Sequence, residues 1–291
     1  MNRVPRIFRE RVAALWKCCE RCYCDKCYIR RRIPDCEWTR IARKRRIEFY
    51  VGTEKGNWIY GFGDPEEMDA DRYLTMDELK NYSDLKNVVI YRIYVFKNWS
   101  SRDIVTKMRP LDVDMERLVK FVTFLSNEPR LLVTSTDADS FNSPQGSALF
   151  QFLKTTHFSY ICIQSYEVKY NRLLKRQYSR RKPTPIEIMS IESGGEFLEA
   201  ELAALRLRKC RISGIMATSV MDAIIGRFLE NSSQFGKGYN IECGFSDKTG
   251  MDKVKMKLSE CETKREYKFH GLKGKSLIVK HLSAHVWSLC V

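Results

Sequence analysis

The sequence lacks an apolar run long enough to form a membrane-spanning helix. Charged or polar residues interrupt every hydrophobic stretch before the roughly 20 residues that a bilayer requires. No apolar segment near the amino terminus resembles the core of a secretory signal peptide. We therefore expect a soluble, intracellular protein, cytoplasmic or nuclear, that does not associate with a membrane.

Histidine is scarce, with 4 among 291 residues, and the familiar catalytic motifs are missing. We find no nucleophile elbow, P-loop, dinucleotide fingerprint or Cys-His pair. The segment "GFGDP" at 61–65 contains G-x-G without a third glycine, and "SGGE" at 193–196 is typical of a loop. The sequence therefore predicts no catalytic residues and no cofactor, and we expect the protein not to be an enzyme.

Positive charge is concentrated at the amino terminus. The chain has a net charge of +15, and residues 1–50 hold 15 Lys/Arg against 6 Asp/Glu. The hydrophobic content of 44% and aromatic content of 12% are globular values, so this charge does not indicate a disordered chain. A basic segment of this kind attracts nucleic acid, anionic lipid or an acidic protein alike.

Five of the 11 cysteines lie in "CCERCYCDKC" at 18–27. Two C-x-x-C pairs are separated by the single residue Tyr23, so a zinc ion would have to be wrapped by a ribbon without the usual intervening loop. We predict free thiols in a reducing compartment and no bound metal. The alternative is a zinc site that draws its ligands from Cys19, Cys22, Cys24, Cys27 and Cys36.

Residues 1–46 are predicted to form a small helical head. Apolar residues from Phe8 to Cys19 fall on one face of a helix that starts near Val4-Pro5, and "EWTRIARKRR" is typical of a second short helix. Residues 47–85 follow as a β-hairpin, with "GTEKGN" at its turn, and an acidic linker.

Residues 86–291 alternate between strand and helix patterns. The strand candidates are "NVVIYRIYVF", "RLLVTST", "YICIQSY", "PIEIMSI", "ALRLRKCRI", "YNIECGF" and "SLIVKHL". The helix candidates include "MERLVKFVTFLS", "SALFQFLKT", "VKYNRLLKRQYS" and "TSVMDAIIGRFLEN", the last with Thr218 or Ser219 as its cap. A spacing of roughly 25 to 30 residues predicts a degenerate leucine-rich-repeat-like body, and an ordinary α/β sheet explains the same alternation.

Several segments resemble a known family. "VPRIFRERVAALW", "DCEWTRIARKRRIEFYV" and "GNWIYGF" resemble the opening of the nematode-expanded F-box proteins. "FQFLKTTHFSYICIQSYEVKYNRLLKRQ", "FLEAELAALRLRKC" and "YNIECGFSDKTGMDKVKMKL" are similar to the associated region that follows the F-box in that family.

The resemblance implies a non-catalytic receptor subunit of a Skp-cullin-F-box ubiquitin ligase. Its partners would be a Skp-type adaptor, the cullin ligase and a protein substrate whose identity the sequence does not give. By analogy, six residues of the head would face the adaptor or pack the head's own core. They are Val4, Pro5, Phe8, Val12, Leu15 and Trp38.

The alternative function is nucleic-acid binding by the arginine-rich amino-terminal region. The runs "IRRRIP" and "RKRRIE" could contact phosphates, and Trp38, Phe49 and Tyr50 could stack on bases. A solvated, basic helix face accounts for the same arginines without any ligand.

Overall fold

The computed structural model describes ten stretches of the chain, and all their strands belong to a single twelve-stranded sheet. The stretches are 45–65, 72–82, 85–97, 102–134, 139–180, 184–235, 239–245, 266–270, 275–283 and 286–291. The predicted helical head therefore lies outside the described residues, except for Arg45 and Arg46, which begin the first strand.

Strands and helices alternate through most of the described residues. The strands are β1 (Arg45–Glu54), β2 (Asn57–Gly63), β3 (Val88–Lys97), β4 (Arg109–Pro110), β5 (Ser126–Val133), β6 (Tyr160–Tyr166), β7 (Ile186–Ile191), β8 (Lys209–Met216), β9 (Asn240–Phe245), β10 (Glu266–His270), β11 (Ser276–Ser283) and β12 (Val286–Cys290). The helices are α1 (Met76–Tyr82), α2 (Arg102–Lys107), α3 (Met115–Leu125), α4 (Pro144–Thr155), α5 (Asn171–Tyr178), α6 (Gly195–Ala203) and α7 (Thr218–Glu230).

The sheet has a parallel centre and antiparallel flanks. Strands β1, β3, β5, β6, β7, β8 and β9 are parallel, and each lies beside the one before it. Strands β2 and β4 extend the sheet beyond β1, and β12, β11 and β10 extend it beyond β9. Because the parallel strands always add on the same side, right-handed crossovers place helices α3 to α7 on one face of the sheet, and of the described helices only the short α2 packs against the other.

One hydrophobic core joins that helix layer to the sheet. The buried residues of α3 to α7 belong to the same cluster as alternate strand residues such as Leu131, Ile161, Ile188 and Ile212. Neighbouring helices also pack side by side, α3 on α4, α4 on α5 and α6 on α7. Burial of this shared apolar surface is the main stabilising contribution to the fold.

The predicted combination of strands and helices in a mixed α/β fold is confirmed. Strands β3, β5, β6, β7, β8, β9 and β11 and helices α3, α4, α5 and α7 overlap segments predicted as such, and β5, β8 and α4 extend several residues beyond those segments. The hairpin β1–β2 also forms, with Lys55 and Gly56 at its turn, and β1 pairs with β3, so the hairpin belongs to the main sheet. Strands β10 and β12 were not predicted.

Local capping explains where several helices begin. Asp114 accepts a hydrogen bond from the Arg117 amide at the start of α3, and Ser143 accepts one from the Gly146 amide at the start of α4. The predicted cap of α7 is wrong. The residue before the helix is Ala217, whose amide donates to the Glu199 carboxylate at 2.8 Å, so a side chain from α6 takes the part of the cap.

A second, smaller core covers the other face of the sheet at one end. It contains Tyr50 and Phe96 from the sheet, and Ile104 and Val105 of α2 pack against it. Close packing here requires a glycine at position 52, because a Cβ atom would lie 2.2 Å from the carbonyl oxygen of Phe96.

Candidate functional site

The face of the sheet opposite the helix layer carries polar and aromatic side chains, and we call it the open face. From β3 to β9 its members include Arg92, Tyr94, Arg130, Leu132, Tyr160, Cys162, Glu187, Arg211 and Glu242, all half-buried or exposed. Strand alternation produces this face, because every second residue of each strand points away from the helices.

The register aligns these side chains into rows across neighbouring strands. Leu132, Cys162, Glu187, Arg211 and Glu242 are successive partners on β5 to β9. Because neighbouring strands lie about 4.8 Å apart, adjacent members of a row can contact one another. The open face is therefore a continuous surface rather than a set of isolated side chains.

Glu48 of β1 lies at the centre of a hydrogen-bond network on this face. Its side chain is buried and accepts hydrogen bonds from the hydroxyls of Tyr50 and Tyr91, both at 2.5 Å. Arg92 donates to the same carboxylate at 3.1 Å, and the Tyr94 hydroxyl lies 3.5 Å from it. The buried charge of Glu48 is thus compensated by a guanidinium group and by phenol donors.

Two features of β3 bring these groups together. A bulge between Ile90 and Arg92 leaves Tyr91 as an extra residue in the strand, so that Tyr91 and Arg92 both reach Glu48. In addition, the ring of Tyr94 stacks on the ring of Tyr50 with centroids 4.5 Å apart. The network is held rigidly by backbone register and aromatic packing.

The tyrosines of this network have raised pKa values. Burial is the main cause for Tyr50 and for Tyr91, and the hydrogen bond from each hydroxyl to the Glu48 carboxylate raises the pKa further. A phenol that donates to a carboxylate is held in its neutral form. These hydroxyls therefore stay protonated at neutral pH and act as hydrogen-bond donors.

Three arginines lie beside this network, and we call them, with the two tyrosines they contact, the arginine patch. Arg46 and Arg92 lie over the ring of Tyr91, at 5.8 and 5.1 Å from its centroid. Arg130 lies over the ring of Tyr160 at 4.8 Å. Arg92 is paired with Glu48, whereas Arg46 and Arg130 have no ion-pair partner among the described residues.

The next strands of the open face show the opposite arrangement. Arg211 lies between two carboxylates, 3.7 Å from that of Glu187 and 3.2 Å from that of Glu242. The Tyr160 hydroxyl also donates to Glu187, and burial together with this hydrogen bond raises the pKa of Tyr160. Charge is thus compensated on β7 to β9 and is left in positive excess on β1, β3 and β5.

A cavity of about 640 Å³ lies apart from these groups, at the tip of the β1–β2 hairpin. Trp58, Met108 and Gln145 contribute to its walls. Glu54 also lines it, and one of its carboxylate oxygens is buried without a hydrogen-bond partner. Lys55 lies on the same wall, so the cavity carries charges of both signs and has no clear preference for a cation or an anion.

The residues predicted to face an adaptor lie outside the described residues. They are Val4, Pro5, Phe8, Val12, Leu15 and Trp38. The same holds for Cys19, Cys22, Cys24, Cys27 and Cys36 of the alternative zinc site. Two of the proposed base-stacking residues are described and are buried, Phe49 at 0% and Tyr50 at 6% exposure, so neither ring is available to a nucleic-acid base.

Sequence reasoning missed the Glu48 network and the arginine patch. A signal for them exists in "EFY" and "YRIY", where polar and aromatic residues alternate with core residues inside strongly hydrophobic strands. The contacts themselves join residues more than 40 positions apart, as between Glu48 and Tyr91. Such contacts require the strand order, which the pattern of a single strand does not contain.

The described part of the chain offers little for metal chemistry. It contains no group of three or more His, Cys, Asp or Glu residues placed to hold a metal ion. Its cysteines Cys162, Cys210, Cys243 and Cys290 are free thiols, and burial raises the pKa of Cys210 to about 12. None of the helices within the described ranges has the length and apolar character to cross a lipid bilayer.

Comparison of the chain with family models, with curated proteins and with solved structures finds no match. The proposals that follow therefore rest on the geometry above and on the resemblance of the sequence segments.

Proposed function

We propose that the protein is a non-catalytic receptor that binds a protein substrate on the open face of its sheet. In this proposal, the F-box-like residues 1–46 connect the receptor to a Skp-type adaptor and, through it, to a cullin ubiquitin ligase. The receptor accelerates modification by holding the substrate near the ligase, which raises its effective concentration. Such a role requires two binding surfaces and no acid, base or nucleophile.

The observation that carries the proposal is the order of the parallel strands. Seven strands follow one another in a single direction with helices α3 to α7 on one face. This leaves the opposite face, apart from the end that α2 covers, as a broad surface built from successive strand–helix units. This arrangement supports the proposal of a leucine-rich-repeat-like body with irregular repeats, and repeat proteins of that kind use extended surfaces to bind partners. The sequence resemblance independently suggests a substrate receptor.

The strand order also bears on the alternative of an enzyme. In open α/β sheets, small ligands usually bind at the carboxyl edge where the strand order reverses. The order from β1 to β9 does not reverse within the parallel part of this sheet. An extended sheet face fits a protein partner better than it fits a small substrate.

The test is co-purification with a Skp-type adaptor. Full-length protein is expected to retain the adaptor, and a variant that begins at Arg45 is expected to lose it while keeping a cooperative urea unfolding transition, since β1 stays intact. A head variant with Phe8→Ala and Leu15→Ala provides a milder version of the same test. Folded full-length protein that fails to retain the adaptor would refute the proposal.

A further inference from the structure

We infer that the arginine patch on the open face binds an acidic peptide segment of the protein partner. The inference rests on the proposed function and deepens it, because it names the part of the open face that contacts the substrate and the chemistry of the contact. The patch consists of Arg46, Arg92 and Arg130 with the tyrosines Tyr91 and Tyr160.

The first argument is an unfavourable charge arrangement. Arg92 and Arg130 are direct cross-strand partners on β3 and β5, and like charges in this position destabilise a sheet. Glu48 pairs with Arg92, and no carboxylate among the described residues pairs with Arg130 or Arg46. The same face compensates Arg211 with an acid on each side. A carboxylate of a partner protein that bound beside Arg130 would compensate this positive charge.

The second argument is the way in which the arginines are held. The Tyr91 hydroxyl donates a hydrogen bond to Glu48, and the Tyr160 hydroxyl donates one to Glu187. These hydrogen bonds fix the orientation of both rings. The guanidinium groups lie over these rings, which limits their motion, and no carboxylate among the described residues accepts from the N–H groups of Arg46 or Arg130. A planar guanidinium group held in this way matches a carboxylate with two hydrogen bonds.

The third argument concerns the surface itself. Arg46 and Arg130 are exposed, and Tyr91, Arg92 and Tyr160 are half-buried. Arginine and tyrosine are enriched at the energetic centres of protein interfaces, where rigid rings supply area at a low entropic cost. The patch therefore combines a fixed aromatic base with positive charge that no carboxylate of the described residues pairs with, apart from Glu48 on Arg92.

Charge complementarity favours an acidic partner over the protein's own amino-terminal segment. Residues 1–44 contain 13 Lys/Arg against 5 Asp/Glu, so they carry the same sign as the patch. Like charge opposes their binding there. A segment rich in Asp and Glu would instead pair with both Arg46 and Arg130.

The test is fluorescence anisotropy with the full-length protein. The probe is a short labelled peptide in which glutamate alternates with serine, and the matched control peptide has glutamine in place of every glutamate. The acidic peptide is expected to bind and the glutamine peptide is not. Arg130→Ala is expected to weaken binding about tenfold, the scale of one charge-assisted hydrogen-bonded pair. The double variant Arg46→Ala with Arg130→Ala is expected to lose binding.

Arg211→Ala is the matched control, because it removes an arginine from the same face that already has two acidic partners. Its affinity for the peptide is expected to equal that of the parent protein. Equal weakening by Arg211→Ala and Arg130→Ala would overturn the inference, since it would indicate a general effect of net charge. Unchanged binding in the double variant would also overturn it and would assign the attraction to residues 1–44.

Two further measurements separate the other outcomes. A single-stranded DNA oligonucleotide that binds more tightly than the acidic peptide, and that loses binding in Arg130→Ala, would make the patch a nucleic-acid site and overturn the peptide assignment. Adaptor co-purification is measured on the same preparations. Adaptor retention without peptide binding rejects the inference alone, and peptide binding without adaptor retention rejects the ligase function alone.

Discussion

Arg92 and Arg130 are cross-strand partners in register on the parallel strands β3 and β5, although both carry a positive charge. Arg92 shares its charge with the buried carboxylate of Glu48, at 3.1 Å. Arg130 lies instead over the ring of Tyr160. The pair is a local departure from the charge compensation found elsewhere on the open face, and its consequences can be measured.

Arg130→Ala should cost less stability than Arg211→Ala. The first change loses a contact with an aromatic ring and removes repulsion from Arg92, so the two effects offset each other. Arg211→Ala loses the ion pairs with Glu187 and Glu242. Because the Arg211 side chain is 63% exposed, each of these pairs contributes at most about 1 kcal/mol. Urea unfolding at low salt checks the order, and the gap should shrink at high salt. The opposite order would show that Arg92 does not repel Arg130.

Glu48→Gln should be among the more damaging polar substitutions on this face. Glutamine has the same shape as glutamate but carries no charge. The change therefore removes the carboxylate that pairs with Arg92 and that accepts hydrogen bonds from the hydroxyls of Tyr50 and Tyr91. Breaking a buried, hydrogen-bonded charge network is expected to lower the free energy of unfolding by about 2 to 4 kcal/mol. Urea denaturation measures this. Glu242→Gln, at a half-buried position, is the control and should cost less than about 1 kcal/mol.

Leu131 and Leu132 are neighbours in β5 whose side chains lie on opposite faces of the sheet, so substitutions at the two positions compare how tightly each face is packed. Leu131 is fully buried against the helix layer, and Leu132 is half-buried on the open face. Leu131→Ala should lower the free energy of unfolding by about 2 to 5 kcal/mol, and Leu132→Ala by less than about 1.5 kcal/mol. Both are read from urea denaturation. Equal costs would mean that the open face is packed as tightly as the helix face.

Tyr60 should make the protein less stable at high pH. Burial is the main cause that raises its pKa to about 12, and its hydroxyl donates to Asp112. In the unfolded chain the Tyr60 hydroxyl loses its proton near pH 10, whereas in the folded protein it keeps that proton up to about pH 12. The free energy of unfolding should therefore fall by about 1.4 kcal/mol per pH unit between pH 10 and pH 12.

The Tyr60→Phe variant isolates this effect. It loses the hydrogen bond to Asp112 and is expected to be less stable at neutral pH, but its stability should fall less steeply above pH 10. Urea unfolding of both proteins across this range gives the two slopes. Parallel curves would show that Tyr60 does not hold its proton in the folded state.

Much of the fold could be predicted because its strands carry strong local signals. The segment "YICIQSY" is β6 from end to end, and the apolar spacing of "MERLVKFVTFLS" places Leu118 and Val122 of α3 in the core, as observed. Both signals come from residues close in sequence whose burial follows the period of the element.

The remainder depends on contacts between distant residues. The cap of α7 comes from Glu199, a side chain of the preceding helix, so the local preference for Thr218 or Ser219 did not decide it. Likewise, Arg130 and Tyr160 come together because β5 and β6 pair in parallel across 30 positions of the chain. Local propensity predicts neither contact, because the first depends on how two helices pack and the second on the strand order.

The small strand β4 also affects how molecules meet one another. It contributes two residues to the outer edge of the sheet, and one of them, Pro110, has no amide hydrogen to offer a further strand. A sheet of twelve strands would otherwise present a long template for strand addition between molecules. Replacing this proline would restore one amide donor at the edge and should favour strand pairing between molecules from that side, so Pro110 is expected to limit growth of the sheet.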